Sequence, residues 1–429
     1  MITPSFSLTA TERVLPKLAL DFTTASLDSR ITFTRSGATA TAVNSSGYVA
    51  LVAADTPRFD YNPVTLICKG LLIEESRTNL FTYSEDFTGW TFSQASVVSS
   101  AITSPANDLT TTKLLENTAT AQHLVRKSIS VTSGTSYTVS IYAQKAERDW
   151  LYIVGGGNAG APSAYFDLTN GVVGTVGSGT AATISDAGNG FYRCTISKAA
   201  TVTGSALFSF APATSNGGAS YAGNDPSTDP TGIYIWGAQL EAGAFATSYI
   251  PTTTTALTRN ADVATMTGTN FSDWFNASEG TFAVTAWPAP LPDLGVSTTG
   301  TLLCAASLGN SLTAQISLLF RTEASSRVNR GAMYVRDATG AVPIETAANE
   351  TYPNNTYTTG VSALKSNDWA FAANGSAVAT SALYTLPAVA QMNIGTNYNG
   401  AGFLNGWVKE ILYYPQRLTN AEVQAFSKG

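Results

Sequence analysis

Histidine is nearly absent: His123 is the single one in 429 residues. A His-rich metal site is therefore excluded, and little room is left for a Ser/His/Asp triad. Cysteine is almost as scarce. Cys68, Cys194 and Cys304 lie more than 100 residues apart and form no CxxC pair, so they read as free, buried thiols and not as a disulfide framework. Charge is also low. Asp, Glu, Lys and Arg make up 12% of the chain, about half the usual ~25%. The net charge is −6 and no Lys/Arg cluster occurs, which argues against a nucleic-acid partner. No apolar run approaches the ~18 residues of a membrane span, so no membrane insertion is expected. Met1 to Ala10 lacks a charged region followed by an apolar one, so no signal peptide is expected either.

What the chain does have points one way. Hydrophobic residues reach 44%, so the low charge does not signify disorder. There are 60 Thr and 36 Gly, a β-branched strand former and a turn former. Alternation with period two recurs. Tyr137, Val139, Ile141 and Ala143 share one face of a predicted strand, and Tyr234, Trp236, Ala238 and Leu240 one face of another. Phe282, Val284 and Ala286 stand opposite Thr281, Thr285 and Trp287, and Ile316, Leu318 and Phe320 align together. Six Asn-Gly pairs, among them Asn189-Gly190 and Asn374-Gly375, supply tight turns. The fold class is all-β: tandem antiparallel β-sandwiches of the jelly-roll kind, with a small N-terminal β segment. One helix is predicted, from Thr419 to Phe426, with Thr419 and Glu422 spaced as a capping box.

The clearest boundary is Pro251-Thr-Thr-Thr-Thr-Ala-Leu-Thr258, small and polar after a proline. A softer one falls near Asn79 to Trp90. The expected organisation is an N-terminal segment over 1–80, too small for a core of its own and expected to pack onto the next module. A jelly roll over 81–250 follows, then a linker over 251–258 and a final sandwich over 259–429.

Three stretches resemble known families. Pro57-Arg-Phe-Asp60-Tyr-Asn-Pro63, then Gly70-Leu-Leu-Ile-Glu-Glu75-Ser-Arg77-Thr-Asn79, continuing into Tyr83-Ser-Glu85-Asp-Phe87 and Trp90, resembles a signature of tailed-bacteriophage and prophage structural proteins. Ile235-Trp236-Gly237-Ala-Gln239-Leu240-Glu241-Ala-Gly243, then Ser248-Tyr249-Ile250-Pro251-Thr252, is similar to the ending of a carbohydrate-binding-module-like jelly roll in phage proteins. Asn393-Ile394-Gly395 and Gly406-Trp407-Val408 through Tyr414, then Arg417-Leu418-Thr419, resemble a concanavalin-A-like (laminin-G-like) lectin/glucanase sandwich. The resemblance implies a surface-exposed virion protein made in the host cytoplasm: a tail-fibre, receptor-binding or adhesion component. The alternative is a capsid or tail decoration protein. The implied partners are other virion proteins and host cell-surface glycans, and the implied state is a homo-oligomer, with a trimer as one form.

Enzymatic activity is not expected. Glu74 and Glu75 are adjacent and would point to opposite faces of a strand. The paired-Glu spacings of laminarinase-type sandwiches do not occur in 256–429, and Glu345 and Glu350 are five apart in an Asn/Pro-rich stretch. A polysaccharide depolymerase is thus the least favoured reading. His123 is expected on an exposed strand or loop. The more useful signal is aromatic, because Trp and Tyr rings stack on the flat C–H faces of sugars while neighbouring polar groups bind hydroxyls. Candidate carbohydrate-binding residues are Trp150 and Tyr152, on one face of a predicted strand beside Arg148 and Asp149, and Asn397 and Tyr398 in a loop. Trp236 and Trp407 are expected in the core. No cofactor is expected beyond a structural calcium ion, for which Asp225 and Asp229 in an oxygen-rich loop are the candidate ligands, without the spacing of a calcium-binding hand.

Overall fold

The computed structural model describes residues 14–37, 40–288, 301–311, 314–323, 327–337, 340–345, 356–383 and 385–429. The chain builds two antiparallel β-sandwiches, one inserted into the other. The inserted sandwich pairs two six-stranded sheets. One sheet runs Ala181–Asp186, Tyr192–Ala199, Ser136–Lys145, Gly232–Ala242, Thr112–Glu116 and Ala95–Ser99. The other runs Val172–Val176, Ser163–Asp167, Trp150–Gly157, Gly204–Ala213, Leu124–Val131 and Thr91–Ser93. Alternation fills the space between them: Val139, Ile141, Leu151, Ile153, Phe166, Ile196, Phe208 and Phe210 are all buried there. Each such side chain contributes about 1.5–3 kcal/mol by leaving water.

One strand departs from the alternation read in the sequence. Tyr234, Trp236, Ala238 and Leu240 do not share a face. Trp236 packs outside the sheet with Tyr142 and Tyr249, while Ala238 and Leu240 enter the core. The pairing slips between Ser140 and Tyr142, opposite Gly237, whose φ is +63°. A β-bulge there flips the face, and glycine suits it. A Cβ on Gly237 would meet the Tyr142 ring at 3.0 Å.

The second sandwich is split in sequence. Its larger sheet runs Ala379–Ser381, Trp369–Ala373, Thr358–Lys365, Glu279–Trp287, Gly406–Tyr414, Cys68–Ile73 and Phe59–Tyr61, with Leu18–Asp21 also paired to Gly406–Tyr414. The facing sheet runs Thr32–Thr34, Val263–Thr267, Gln391–Ile394, Thr301–Ser311, Ala314–Glu323, Arg327–Asp337 and Gly340–Glu345. Leu18, Leu20, Ile73, Phe282, Val284, Ile316, Met392 and Ile411 meet between them. The C-terminal helix, Asn420–Phe426, lies on the outer face. Thr419 caps it and the Thr419–Glu422 capping box is present. Its Val423 and Phe426 pack on the small side chains Ala363, Ala370 and Ala372.

The N-terminal segment, expected to pack onto the middle module, does touch it, Thr41 Oγ1 donating to Tyr249 O and Val49 N to Pro105 O, but it also supplies strands to both sheets of the final one. The reason is that Leu18, Leu20, Leu71 and Ile73 complete that core. The stretch expected to be a linker is fixed. Leu257–Arg259 pairs with Arg77–Asn79, Thr252 Oγ1 donates to Phe81 O at 2.6 Å, and Tyr83 N donates to Thr253 O at 2.6 Å. The chain thus enters and leaves the inserted sandwich through two adjacent, paired strands. Asn189-Gly190 and Asn374-Gly375 both have positive φ at each residue, a backbone that Asn and Gly tolerate in tight turns.

Candidate functional site: the cleft between the sandwiches

Buried ions of the split sandwich underlie the junction, and Ser248 of the inserted one bonds to them. Arg35, Arg58, Arg259, Glu74 and Asp262 are each at most 5% exposed. Arg58 donates to the Asp262 carboxylate and lies 2.8 Å from Glu74 Oε2. Arg35 Nη1 donates to Asp262 Oδ1 at 3.0 Å, and Arg259 Nη2 lies 3.5 Å from Glu74. Ser248, from the inserted sandwich, donates to Glu74 through its N–H and its hydroxyl, both at 2.7 Å. Burial alone would raise the Glu74 carboxyl, but Arg259, Arg58 and the Ser248 bonds outweigh it and hold the group at about 2. Nearby, Asn79 Nδ2 donates to Ala238 O and Ile250 O, and its Oδ1 accepts from Leu240 N. Arg77 donates to Ala242 O; any side chain on Gly243 would occupy the space of its guanidinium. Two of the sequence signatures, Pro57–Asn79 and 235–252, therefore meet in space as the clamp between sandwiches. Glu74 and Glu75 go to different partners, Glu75 pairing with Arg77.

Beside this clamp opens a cavity of about 490 Å³, within the usual range of ligand sites. Its floor is the outer face of the first inserted sheet. Arg193, Thr195 and Ser197 line it, with Thr183 and Ser185 on the neighbouring strand. Strand alternation puts these hydroxyls outward because Cys194 and Ile196 point into the core. The opposite wall comes from the split sandwich: Trp287, Trp407, Lys69, Asp60 and Asn405. Trp287 and Trp407 meet edge to face, with ring centroids 5.1 Å apart. Trp407 Nε1 donates to Asp60 Oδ2 at 2.9 Å, and Lys69 Nζ sits 4.3 Å over the Trp407 ring while pairing with Asp60 at 3.3 Å. Phe245 also lines the cleft, with the Arg77 guanidinium over its ring. Trp407, expected in the core, is thus half-buried in a cleft wall, whereas Trp236 is fully buried. Trp287 had an outward signal in the sequence, since it alternates against Phe282, Val284 and Ala286. Nothing in the sequence brought it to Arg193.

The residues singled out from sequence divide. Trp150 and Tyr152 do share an outward face, half-buried. Tyr152 stacks on Tyr165 at 4.2 Å. The Trp150 ring covers Gly174, where a Cβ would meet it at 2.7 Å. Arg148 is not free to join them. It forms a two-pronged pair with buried Glu116, Nε to Oε2 at 2.9 Å and Nη2 to Oε1 at 2.5 Å, and lies over the Tyr221 ring. Glu116 also accepts from Tyr221, Thr231 and Asn224. Burial would raise its carboxyl, yet Arg148, Thr231 and Tyr221 bring it to about 2. Asp149 is exposed and accepts from Thr169 Oγ1 at 3.0 Å. His123, expected at the surface, is fully buried, because its ring packs on Tyr221 and its Nδ1 lies 2.6 Å from Gln94 O. Asn397 Oδ1 accepts from Asn399 N and Ala401 N, closing its own turn, with Tyr398 half-buried beside it. Asp225 accepts from Ser227 and Asp229 from Asn224. Among the described residues no three His, Cys, Asp or Glu side chains gather as a metal site. Glu350 lies outside the described residues.

No protein-family model matches the chain, and no curated protein matches it. Solved structures do. A CBM40 of Ruminococcus gnavus IT-sialidase bound to α2,3-sialyllactose matches at 15% identity over 35% of this chain and 84% of that one, with a TM-score of 0.28. Domain 4 of AbnA, a GH43 extracellular arabinanase from Geobacillus stearothermophilus, in complex with arabinotriose, matches at 12% identity over 43% of this chain and 83% of that one, TM-score 0.29. Trypanosoma rangeli sialidase in complex with the inhibitor DANA matches at 12% identity over 79% and 62%, TM-score 0.26. At this level the likenesses carry nothing about the ligand of this chain.

Proposed function

We propose that the chain is a non-enzymatic, saccharide-binding structural component of a tailed-bacteriophage particle, and that the cleft between its sandwiches is the principal binding site. The observation that carries the binding reading is the cleft itself: indole rings on one wall, a sheet face of hydroxyls on the other. Flat apolar faces and ring hydroxyls of a sugar need that combination. The lining carboxylates favour binding over hydrolysis. Glu74, held at about 2, cannot supply a proton at neutral pH. Asp60 is engaged by Lys69, Trp407 and Val43 N. Asp186 is exposed and accepts from Gly188 N. The Trp150–Tyr152–Tyr165 face is a second, shallower contact surface. The virion assignment is supported by the resemblance of 57–90 and 235–252 to phage structural proteins. Weak single sites would gain from repetition on a particle.

The test is calorimetric titration of the whole protein with an oligosaccharide panel, alongside Trp407→Ala. Saturable binding that the variant weakens at least tenfold supports the reading. Equal binding by both proteins removes the cleft from it. Immunogold microscopy of particles tests the virion part: label on tail fibres or tip supports receptor binding, label spread over the capsid or tail supports decoration, and unlabelled particles refute both.

A further inference from the structure

The cleft holds one half-buried ion without a counter-ion. Arg193 makes no salt bridge among the described residues. Its Nη2 donates to Ser140 Oγ at 3.0 Å, its guanidinium lies 5.4 Å over the Tyr142 ring, and its Nε–H is buried with no acceptor. Trp287 Nε1 is likewise buried without an acceptor. The remaining charges do not answer Arg193. Asp60 is taken by Lys69, Glu74 by Arg58 and Arg259, and Asp186 stands exposed at the rim. A buried N–H without a partner is costly, and an unpaired guanidinium more so.

We propose that the cleft is selective for acidic saccharides, with the sugar carboxylate accepting hydrogen bonds from Arg193 and a ring oxygen or hydroxyl accepting from Trp287 Nε1. This rests on the saccharide reading above and adds its chemical class. A planar carboxylate is the anion that a guanidinium edge fits in a two-pronged way. The hydroxyls of Thr183, Ser185 and Thr195 are placed around it to take neighbouring ring substituents. Lys69, already paired with Asp60, adds attraction across the cleft without competing for the carboxylate.

The probes are oligosaccharides of galacturonate, glucuronate and mannuronate, each paired with its carboxyl-reduced neutral form, together with sulfated dextran. The proteins are the full chain, Arg193→Gln, Arg193→Lys and Trp407→Ala, each checked for an unchanged thermal melt. We expect at least one uronate series to bind about tenfold or more tighter than its reduced partner. Arg193→Gln should bring that ratio to within about twofold, Arg193→Lys should retain part of it, and Trp407→Ala should weaken acidic and neutral forms alike. Equal binding of acidic and reduced forms by the full chain overturns acid selectivity and leaves the saccharide reading standing. A preference that Arg193→Gln does not change also overturns the proposal, and a preference for sulfated dextran over every uronate overturns the carboxylate assignment. Binding of none of these sugars overturns the saccharide reading itself.

Discussion

Replacing Glu74 by Gln tests how much the buried ion cluster beneath the junction stabilises the protein. Gln keeps the shape and one acceptor oxygen, which can still take the Ser248 N–H, while the charge facing Arg58 and Arg259 is lost and an NH2 donor replaces the second oxygen. The carboxyl is lowered from its usual 4.5 to about 2. A carboxyl lowered in the folded state stabilises fully above its unfolded value. That contribution fades as pH falls from about 4.5 to about 2. A displacement of about 2.5 units at about 1.36 kcal/mol each gives about 3 kcal/mol at neutral pH. For a protein of this size that is a fall of about 6 °C in melting temperature, at roughly 2 °C per kcal/mol. Differential scanning calorimetry of both proteins from pH 7 to pH 2 provides the reading. The gap between them should be near 6 °C at pH 7, narrow below about pH 4.5, and close near pH 2. A gap that stays constant across the range, or no gap at pH 7, would refute the electrostatic account and leave the cluster as mere packing.

Arg148→Met should destabilise the inserted sandwich by about 2–3 kcal/mol, since it strands a buried carboxylate that keeps only neutral donors; urea unfolding followed by Trp fluorescence measures it. Trp150→Ala should weaken glycan or cell binding modestly with a folded spectrum, and unchanged binding removes that face as a contact surface. Cys194 and Cys304, fully buried with thiols pushed up by that burial, should resist a thiol reagent in the native protein, so that at most one equivalent, at Cys68, reacts before unfolding. Deleting residues 1–80 should yield aggregated or unfolded protein by circular dichroism and size exclusion, because it removes Leu18, Leu20, Leu71 and Ile73 from the second core; a folded truncation would contradict the strand pairing described here.

Local order was legible in the sequence and long-range order was not. Alternation located the strands carrying Val139 and Ile141, Phe282 and Val284, and Ile316 and Leu318, because period two is written residue by residue. The capping box before Asn420 was legible for the same reason. The face switch at Gly237 was hidden, since a bulge preserves composition while shifting phase. Trp150 and Tyr152 were placed correctly on one outward face, but Arg148 was claimed by Glu116, which lies 32 positions earlier. The cleft needed Trp407 beside Trp287 and both across from Arg193, a meeting set by the insertion and by no local pattern.

The insertion also sets a clock. Leu18 pairs with Tyr413, so the first of the described strands waits for about 400 further residues, some 20–80 s at 5–20 residues per second. The inserted sandwich, contiguous in sequence, can close during that wait and bring Arg77–Asn79 beside Leu257–Arg259 as the seam from which the outer sandwich then zips. What waits is the kind of strand that waits safely. The N-terminal strands are three to six residues long, too short to offer a nascent neighbour much edge to join.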